Sequence, residues 1–317
     1  MALPSTSADN LELRLIAAPF TPFTAAEEID LASVPLQAER LRADGVHGAF
    51  VAGTTGESAS LSVSERKALL EAWSLARGPL QLFSHVGSSS VGDAVELAQH
   101  AAGLGVDAIA AVPPYYFKPD TVAELIRMLQ PIAAAAPRTP FFYYHIPRMT
   151  GVGLPMTPFV RQAAAAIPNF AGVKFTHSDL IEFADCVDAA GAGVEMMFGR
   201  DPLLAQAALA GARTAVGSTF NFAARLYLDM FTALRAGEWR TVREQQRLSR
   251  EIVAVTNRHG GLVAQKALYS LLVVESGPAR PPFARLSDAA IDELTRFAVR
   301  SGLAEGSRIE RTGGRME

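Results

Sequence analysis

Leu97-Ala98-Gln99-His100-Ala101-Ala102-Gly103-Leu104-Gly105 reads as a helix running into its glycine stop, and Asp107-Ala108-Ile109-Ala110-Ala111-Val112-Pro113, directly after it, reads as a short β-type run. The unit returns at Leu203-Leu204-Ala205-Gln206-Ala207-Ala208-Leu209-Ala210-Gly211, again a helix closed by glycine and followed by a strand candidate. Working outward, strand candidates occupy residues 13–20, 48–53, 80–87, 107–113, 140–147, 171–176, 194–199 and 214–219, each with a helical segment behind it. Helix starts are signalled too: in Ser62-Val63-Ser64-Glu65 a hydroxyl and a carboxylate stand ready for the first free amides. Alternation of this kind predicts a parallel sheet. Eight such units between residues 13 and 237 match a closed barrel of roughly 250 residues better than an open doubly wound sheet. No dinucleotide-type glycine fingerprint follows the first strand, which weakens the open sheet further. The expected fold class is α/β, a (β/α)8 TIM barrel. Beyond residue 237 the alternation stops, and helical stretches at 238–259, 262–276 and 287–302 follow, the last two separated by Pro278, Pro281 and Pro282. The expected organisation is a catalytic barrel over residues 1–237, a C-terminal helical region over 238–304 and a flexible polar tail over 305–317.

With 49% hydrophobic and 19% charged residues, the 317-residue chain can bury a large core and lacks the composition of disorder. Net charge is -3 and the basic residues are dispersed, so no footprint for nucleic acid is visible and a small uncharged or anionic substrate is expected. Residues 1–10 lack a basic start and an apolar stretch, and no run is long enough to span a bilayer, so a cytoplasmic location away from membranes is expected. Cys186 is the single cysteine, which excludes an internal disulfide, and it reads as a buried helix residue.

In a barrel of this type the chemistry belongs at the C-terminal ends of the strands. Only four of the 29 basic residues are lysines: Lys67 and Lys266 fall on helices and Lys118 in a loop. Lys174 sits inside a strand, Ala171-Gly172-Val173-Lys174-Phe175-Thr176. Alternation places Lys174 with Thr176, opposite Val173 and Phe175, and so points it into the barrel. A desolvated amine there has a lowered pKa and becomes a nucleophile toward a ketone; the competing reading is a lysine held in an internal ion pair. Gly53-Thr54-Thr55-Gly56-Glu57 ends the second strand as a tight turn whose hydroxyls and amides can cradle a carboxylate, although a plain turn explains it as well. Phe141-Phe142-Tyr143-Tyr144-His145-Ile146-Pro147 ends the fifth, and alternation leaves open whether Tyr143 or Tyr144 faces inward.

Together with Gly172-Val173-Lys174-Phe175-Thr176 and Gly217-Ser218-Thr219-Phe220-Asn221, these motifs resemble the dihydrodipicolinate synthase and N-acetylneuraminate lyase superfamily from about residue 13 to about residue 300. The resemblance implies that Lys174 forms a Schiff base with a 2-keto acid, that Thr54 and Thr55, beside Gly53, bind its carboxylate, and that Tyr144 shuttles the proton. It also implies a homotetramer in which Tyr116 extends a neighbouring subunit's proton relay through Thr54 to Tyr144, with no metal and no organic cofactor. Phe142-Tyr143-Tyr144-His145-Ile146-Pro147 and Phe198-Gly199 are most similar to the lyase branch, in its animal-like form. Met149 stands where the synthases carry an arginine, with Arg148 one position early. The matched contacts to the substrate's tail are Thr176, Gly199, Asp201 and Ser218. Gly199-Arg200-Asp201-Pro202 departs from the Gly-x-Asp-Glu common in sialic-acid lyases, because Pro202 replaces an acceptor carboxylate while Arg200 adds a donor fork.

The activity this implies is class I cleavage of a 2-keto-3-deoxy sugar acid, N-acetylneuraminate first, to pyruvate and an aldehyde. Another 2-keto-3-deoxy acid aldolase and dihydrodipicolinate synthase (4-hydroxy-tetrahydrodipicolinate synthase) come next. Two further readings compete. His85, His145 and His177 lie near strand ends and could hold the metal of a class II aldolase, although no carboxylate accompanies them at ligand spacing and an inward Tyr144 turns His145 toward the helices. A non-catalytic keto-acid-binding barrel is the other.

Overall fold

The computed structural model describes residues 13–305 and residue 307. Eight parallel strands, β1 (Arg14–Ala17), β2 (Gly48–Val51), β3 (Gln81–His85), β4 (Ala108–Ala111), β5 (Phe141–His145), β6 (Phe170–Phe175), β7 (Glu195–Phe198) and β8 (Thr214–Gly217), pair in sequence order and close on themselves. Register partners Ala17 and Gly217 seal β1 to β8. The expected eight-unit barrel is therefore the observed one. Each of the eight strands ends before the expected run does, because residues such as 52–53 and 146–147 leave the ladder to form the loops and turns above it.

Helices α1 (Val34–Ala43), α2 (Val63–Ala76), α3 (Val91–Gly103) and α4 (Val122–Ala134) follow the first four strands. A single turn, α5 (Pro147–Thr150), precedes α6 (Met156–Ala166); α7 (Leu180–Ala189), α8 (Leu204–Leu209) and α9 (Phe220–Ala236) complete the ring. The Ser62 signal works as expected: its hydroxyl accepts from the Glu65 amide and the Glu65 carboxylate accepts from the Ser62 amide, a reciprocal cap.

Two apolar layers follow from strand alternation. Ile16, Phe50, Phe83, Phe142, Tyr144 and Met197 fill the lumen. Phe141, Tyr143, Val173 and Phe175 pack outward against the helices. That settles the choice on β5: Tyr144 faces in and Tyr143 faces out. Gly172 takes φ 146, and a Cβ there would collide with the Glu195 carbonyl, so glycine is needed where β6 presses on β7.

The C-terminal region forms α10 (Trp239–Arg258), α11 (Leu262–Leu272) and α12 (Asp288–Arg300). α11 stops before the expected residue 276, since Val273 leaves helical geometry and the chain continues irregularly to residue 286. Cys186 is buried on α7, as expected. Residues 1–12, the 1–10 reading and most of the expected 305–317 tail lie outside the described residues. Among the described residues no helix is long and apolar enough to cross a membrane.

Candidate active site

Lys174 is the last inward residue of β6, and Phe50 from β2 and Tyr144 from β5 form its walls. Its Nζ lies 3.6 Å from the Phe50 ring centroid and 3.8 Å from that of Tyr144, its register partner. The residue is 3% exposed, and among the described residues no carboxylate pairs with it. Burial drives its pKa well below the ordinary lysine value, and only the nearby charge of Asp201 opposes this. An internal ion pair does exist in this fold, but it belongs to another lysine: Lys266 bonds Glu57 at 2.8 Å.

Tyr144 is held by Thr54, whose hydroxyl lies 3.2 Å from the phenol oxygen. Burial pushes the Tyr144 phenol up to about 12, while the Thr54 and Thr176 hydroxyls pull it back. The turn above β2 is closed by the Glu57 and Ser58 amides, which donate to the Thr54 and Gly53 carbonyls, and by the Thr21 hydroxyl on the Gly56 carbonyl at 2.6 Å. Ala52 and Glu57 both adopt positive φ, 54° and 57°, at its two ends. Among the described residues no protein group accepts from the Thr54 or Thr55 amide, so two donors and two hydroxyls stand at the rim beside Gly53.

The opposite wall of the site is built by β6, β7 and β8. The Thr176 amide donates to the His145 carbonyl at 2.7 Å, and its buried hydroxyl lacks a full hydrogen bond. At Gly199 a Cβ would strike that hydroxyl, so glycine keeps the strands close. Asp201 opens a 3-10 turn, Asp201–Leu203, and its Oδ2 accepts from the Thr219 amide and hydroxyl at 3.1 and 2.6 Å. Ser218, half-buried, sits beside that contact. The Asp201 carbonyl in turn accepts from Gln246 and Ser249 of α10, and Tyr227 of α9 bridges Thr219 and Ser249. These three residues gave no sequence signal, since their role arises only when α9 and α10 fold beneath the turn. Arg200 brings a buried Nε without an acceptor to the same side.

His85 also faces the lumen, perpendicular to Tyr144 with ring centroids 5.7 Å apart. Its Nδ1 lies 2.8 Å from the Ala52 carbonyl, and Arg66, 5% exposed, donates to the His85 and Gly87 carbonyls. Burial and the Arg66 charge keep the His85 imidazole neutral. The three histidines therefore do not form one group. His145 turns to the helical layer as expected, but one expectation is corrected: a carboxylate does accompany His145 and His177, because the first turn of α7 carries Glu182 to them. The three cluster on the helical side of the strands, where the His145 ring packs on the outward-facing Phe175. Tyr116 is 79% exposed, edge-to-face against Phe117, and is not brought to Tyr144 within the single chain. A cavity of about 620 Å³ lies elsewhere, lined by Phe23, Asp30, Lys266 and Arg285 among others, and its one lysine is committed to Glu57.

The profile of the dihydrodipicolinate synthetase family matches residues 12–300. The N-acetylneuraminate lyase of Mus musculus is 39% identical over 274 residues, covering 84% of this chain and 86% of the relative. N-acetylneuraminate lyase A of Xenopus laevis is 38% identical over 273 residues, covering 84% and 89%. Among solved structures, Proteus mirabilis N-acetylneuraminate lyase superposes with a TM-score of 0.88 at 35% identity, over 92% of this chain and 99% of that one. The chain belongs to the dihydrodipicolinate synthetase family.

Proposed function

We propose that this member of the dihydrodipicolinate synthetase family is a class I carbon–carbon lyase that cleaves a 2-keto-3-deoxy sugar acid, N-acetylneuraminate in the first place, to pyruvate and an aldehyde. The observation that carries the reading is the unpaired, desolvated amine of Lys174 between Phe50 and Tyr144 in the lumen. The relatives named N-acetylneuraminate lyase support the choice of substrate.

In this reading the neutral Lys174 amine adds to the C2 ketone, and loss of water gives a protonated imine that serves as an electron sink. Thr55, with the free amides of the turn at Gly53, holds the substrate carboxylate. The Tyr144 phenol, high in the free protein, loses its proton more readily beside the imine cation, and Thr54 carries that proton on. Tyr144 then takes the C4 hydroxyl proton, the C3–C4 bond breaks, the aldehyde leaves and the electron pair passes into an enamine. Protonation at C3 and hydrolysis of the imine release pyruvate and restore Lys174. Thr176, Gly199, Asp201 and Ser218 hold the tail of the sugar acid. No metal or organic cofactor enters this sequence of steps. Tyr116 acts across a subunit contact, so a cytoplasmic homotetramer is the proposed working form; its exposure in the single chain agrees with that placement.

The discriminating experiment offers the protein N-acetylneuraminate, shorter 2-keto-3-deoxy sugar acids and, with pyruvate, aspartate semialdehyde, while pyruvate is followed. Highest kcat/KM for release from N-acetylneuraminate supports the proposal. Pyruvate consumption with aspartate semialdehyde as the preferred reaction replaces it with the synthase.

A further inference from the structure

His145, at the end of β5, and His177, two residues past β6, turn away from the lumen. The His145 ring packs against Phe175 and Tyr143, centroids 5.1 and 6.1 Å away, both residues of the outer core. The His177 ring stands perpendicular to it, with centroids 6.0 Å apart. Glu182, in the first turn of α7, completes the group, and its Oε1 accepts from the Met156 amide at the start of α6. One ligand atom of each of the three residues lies within 4.8 Å of the others.

Two observations set this group apart from an ordinary surface cluster. His145 is 2% exposed, and its buried Nδ1 has no hydrogen-bond partner; the buried Nδ1 of His177 has none either. Buried polar atoms are normally paired, so two orphaned ring nitrogens in one spot call for a missing partner.

We infer that His145, His177 and Glu182 form a binding site for a divalent transition-metal ion, zinc above all, on the outer face of the barrel. Two imidazoles and one carboxylate are a set that zinc accepts, with water in the fourth position. Ligands at roughly 2.0–2.2 Å from a tetrahedral ion stand about 3.4 Å apart, while these atoms lie within 4.8 Å of one another, so the group closes by up to about 1.4 Å. The half-buried His177, in the bend between β6 and α7, is the residue free to make that movement. The Met156 amide orients Glu182 from behind, as outer partners do for metal ligands. The ion ties β5, the 176–179 bend and α7 together directly behind Tyr144 and Thr176, and it takes no part in the imine chemistry.

The test uses untagged full-length protein stripped with chelator and titrated with Co²⁺ and Zn²⁺. The inference expects one ion per chain, tetrahedral Co²⁺ absorption bands, and a melting temperature that rises with Zn²⁺. His177→Ala and Glu182→Gln, the latter keeping an acceptor for the Met156 amide, are expected to weaken binding by more than about tenfold. His259→Ala and His100→Ala remove two half-buried histidines paired with Glu293 and Glu71 elsewhere in the fold, and are expected to leave binding unchanged. Absence of stoichiometric binding overturns the inference, as does binding that survives His177→Ala or disappears with His259→Ala or His100→Ala. Should Glu182→Gln fail to fold, His177→Ala at its half-buried position in the bend decides alone.

Discussion

Glu57 and Lys266 form an ion pair of 2.8 Å from which water is excluded, the two side chains 0% and 1% exposed. It joins the turn bearing Thr54 and Thr55 to α11, while the second Glu57 oxygen accepts from the Arg280 amide and Lys266 donates to the Pro278 carbonyl. The C-terminal helices are thus part of the site's foundation. Lys266→Met leaves an unpaired buried carboxylate and is expected to cost about 3–5 kcal/mol in urea unfolding. Adding Glu57→Gln to that variant is expected to recover part of the loss. A cost below about 1 kcal/mol, the range of an exposed pair, contradicts this account.

The amine of Lys174 is desolvated at the expense of stability. Its pKa in the folded chain lies below the ordinary 10.5, so between the two values the unfolded chain binds more protons, and stability rises with pH across that window. Lys174→Met removes this penalty. Its melting temperature at pH 7 is expected to exceed that of the natural protein, with the advantage shrinking as pH rises toward 10.5. Each kcal/mol corresponds to roughly 2–4 °C in a chain of somewhat smaller size. A variant that melts lower at pH 7 argues against a desolvated, unpaired amine.

The Thr54–Tyr144 hydrogen bond of 3.2 Å is the first link of the proposed proton path. Tyr144→Phe is expected to lower kcat by about 10²–10⁴-fold, and Thr54→Val by less, with substrate binding changed little. Equal losses in a variant remote from the lumen, or full activity in Tyr144→Phe, remove the tyrosine from its role.

Pro202 sits in the first turn after β7, where Asp201 already commits Oδ2 to Thr219. Pro202→Glu restores an acceptor for distal hydroxyls, and a hydrogen bond to a charged partner contributes roughly 1.5–3 kcal/mol. The ratio of kcat/KM for N-acetylneuraminate over a shorter 2-keto-3-deoxy acid is therefore expected to rise about ten- to a hundred-fold. If the natural protein is already efficient and the substitution lowers the ratio, Arg200 makes the contact instead, through the Nε that has no acceptor here.

The barrel was legible because helix-to-glycine-to-strand units recur, and because a lysine among Gly172, Val173 and Phe175 has few structural excuses. Position within the strand also placed Lys174 inward correctly. Alternation left the Tyr143 and Tyr144 choice open, since parallel strands buried on both faces are apolar throughout; the resemblance favoured Tyr144 and the two packing layers agree. Contacts between distant segments were beyond reach. Glu57 meets Lys266 across 209 positions, Asp201 rests on Ser249, and Glu182 reaches His145 only because α7 starts directly over β5 and β6. No local pattern encodes such meetings.

The central claim is that Lys174 is the nucleophile, and covalent trapping tests it most directly. Incubation with pyruvate and borohydride, followed by intact-mass measurement and peptide mapping, is expected to show one reduced pyruvyl adduct per chain, located at Lys174 and absent from Lys174→Met. An adduct at Lys67, Lys118 or Lys266 instead, or catalytic activity that survives in Lys174→Met, contradicts the account.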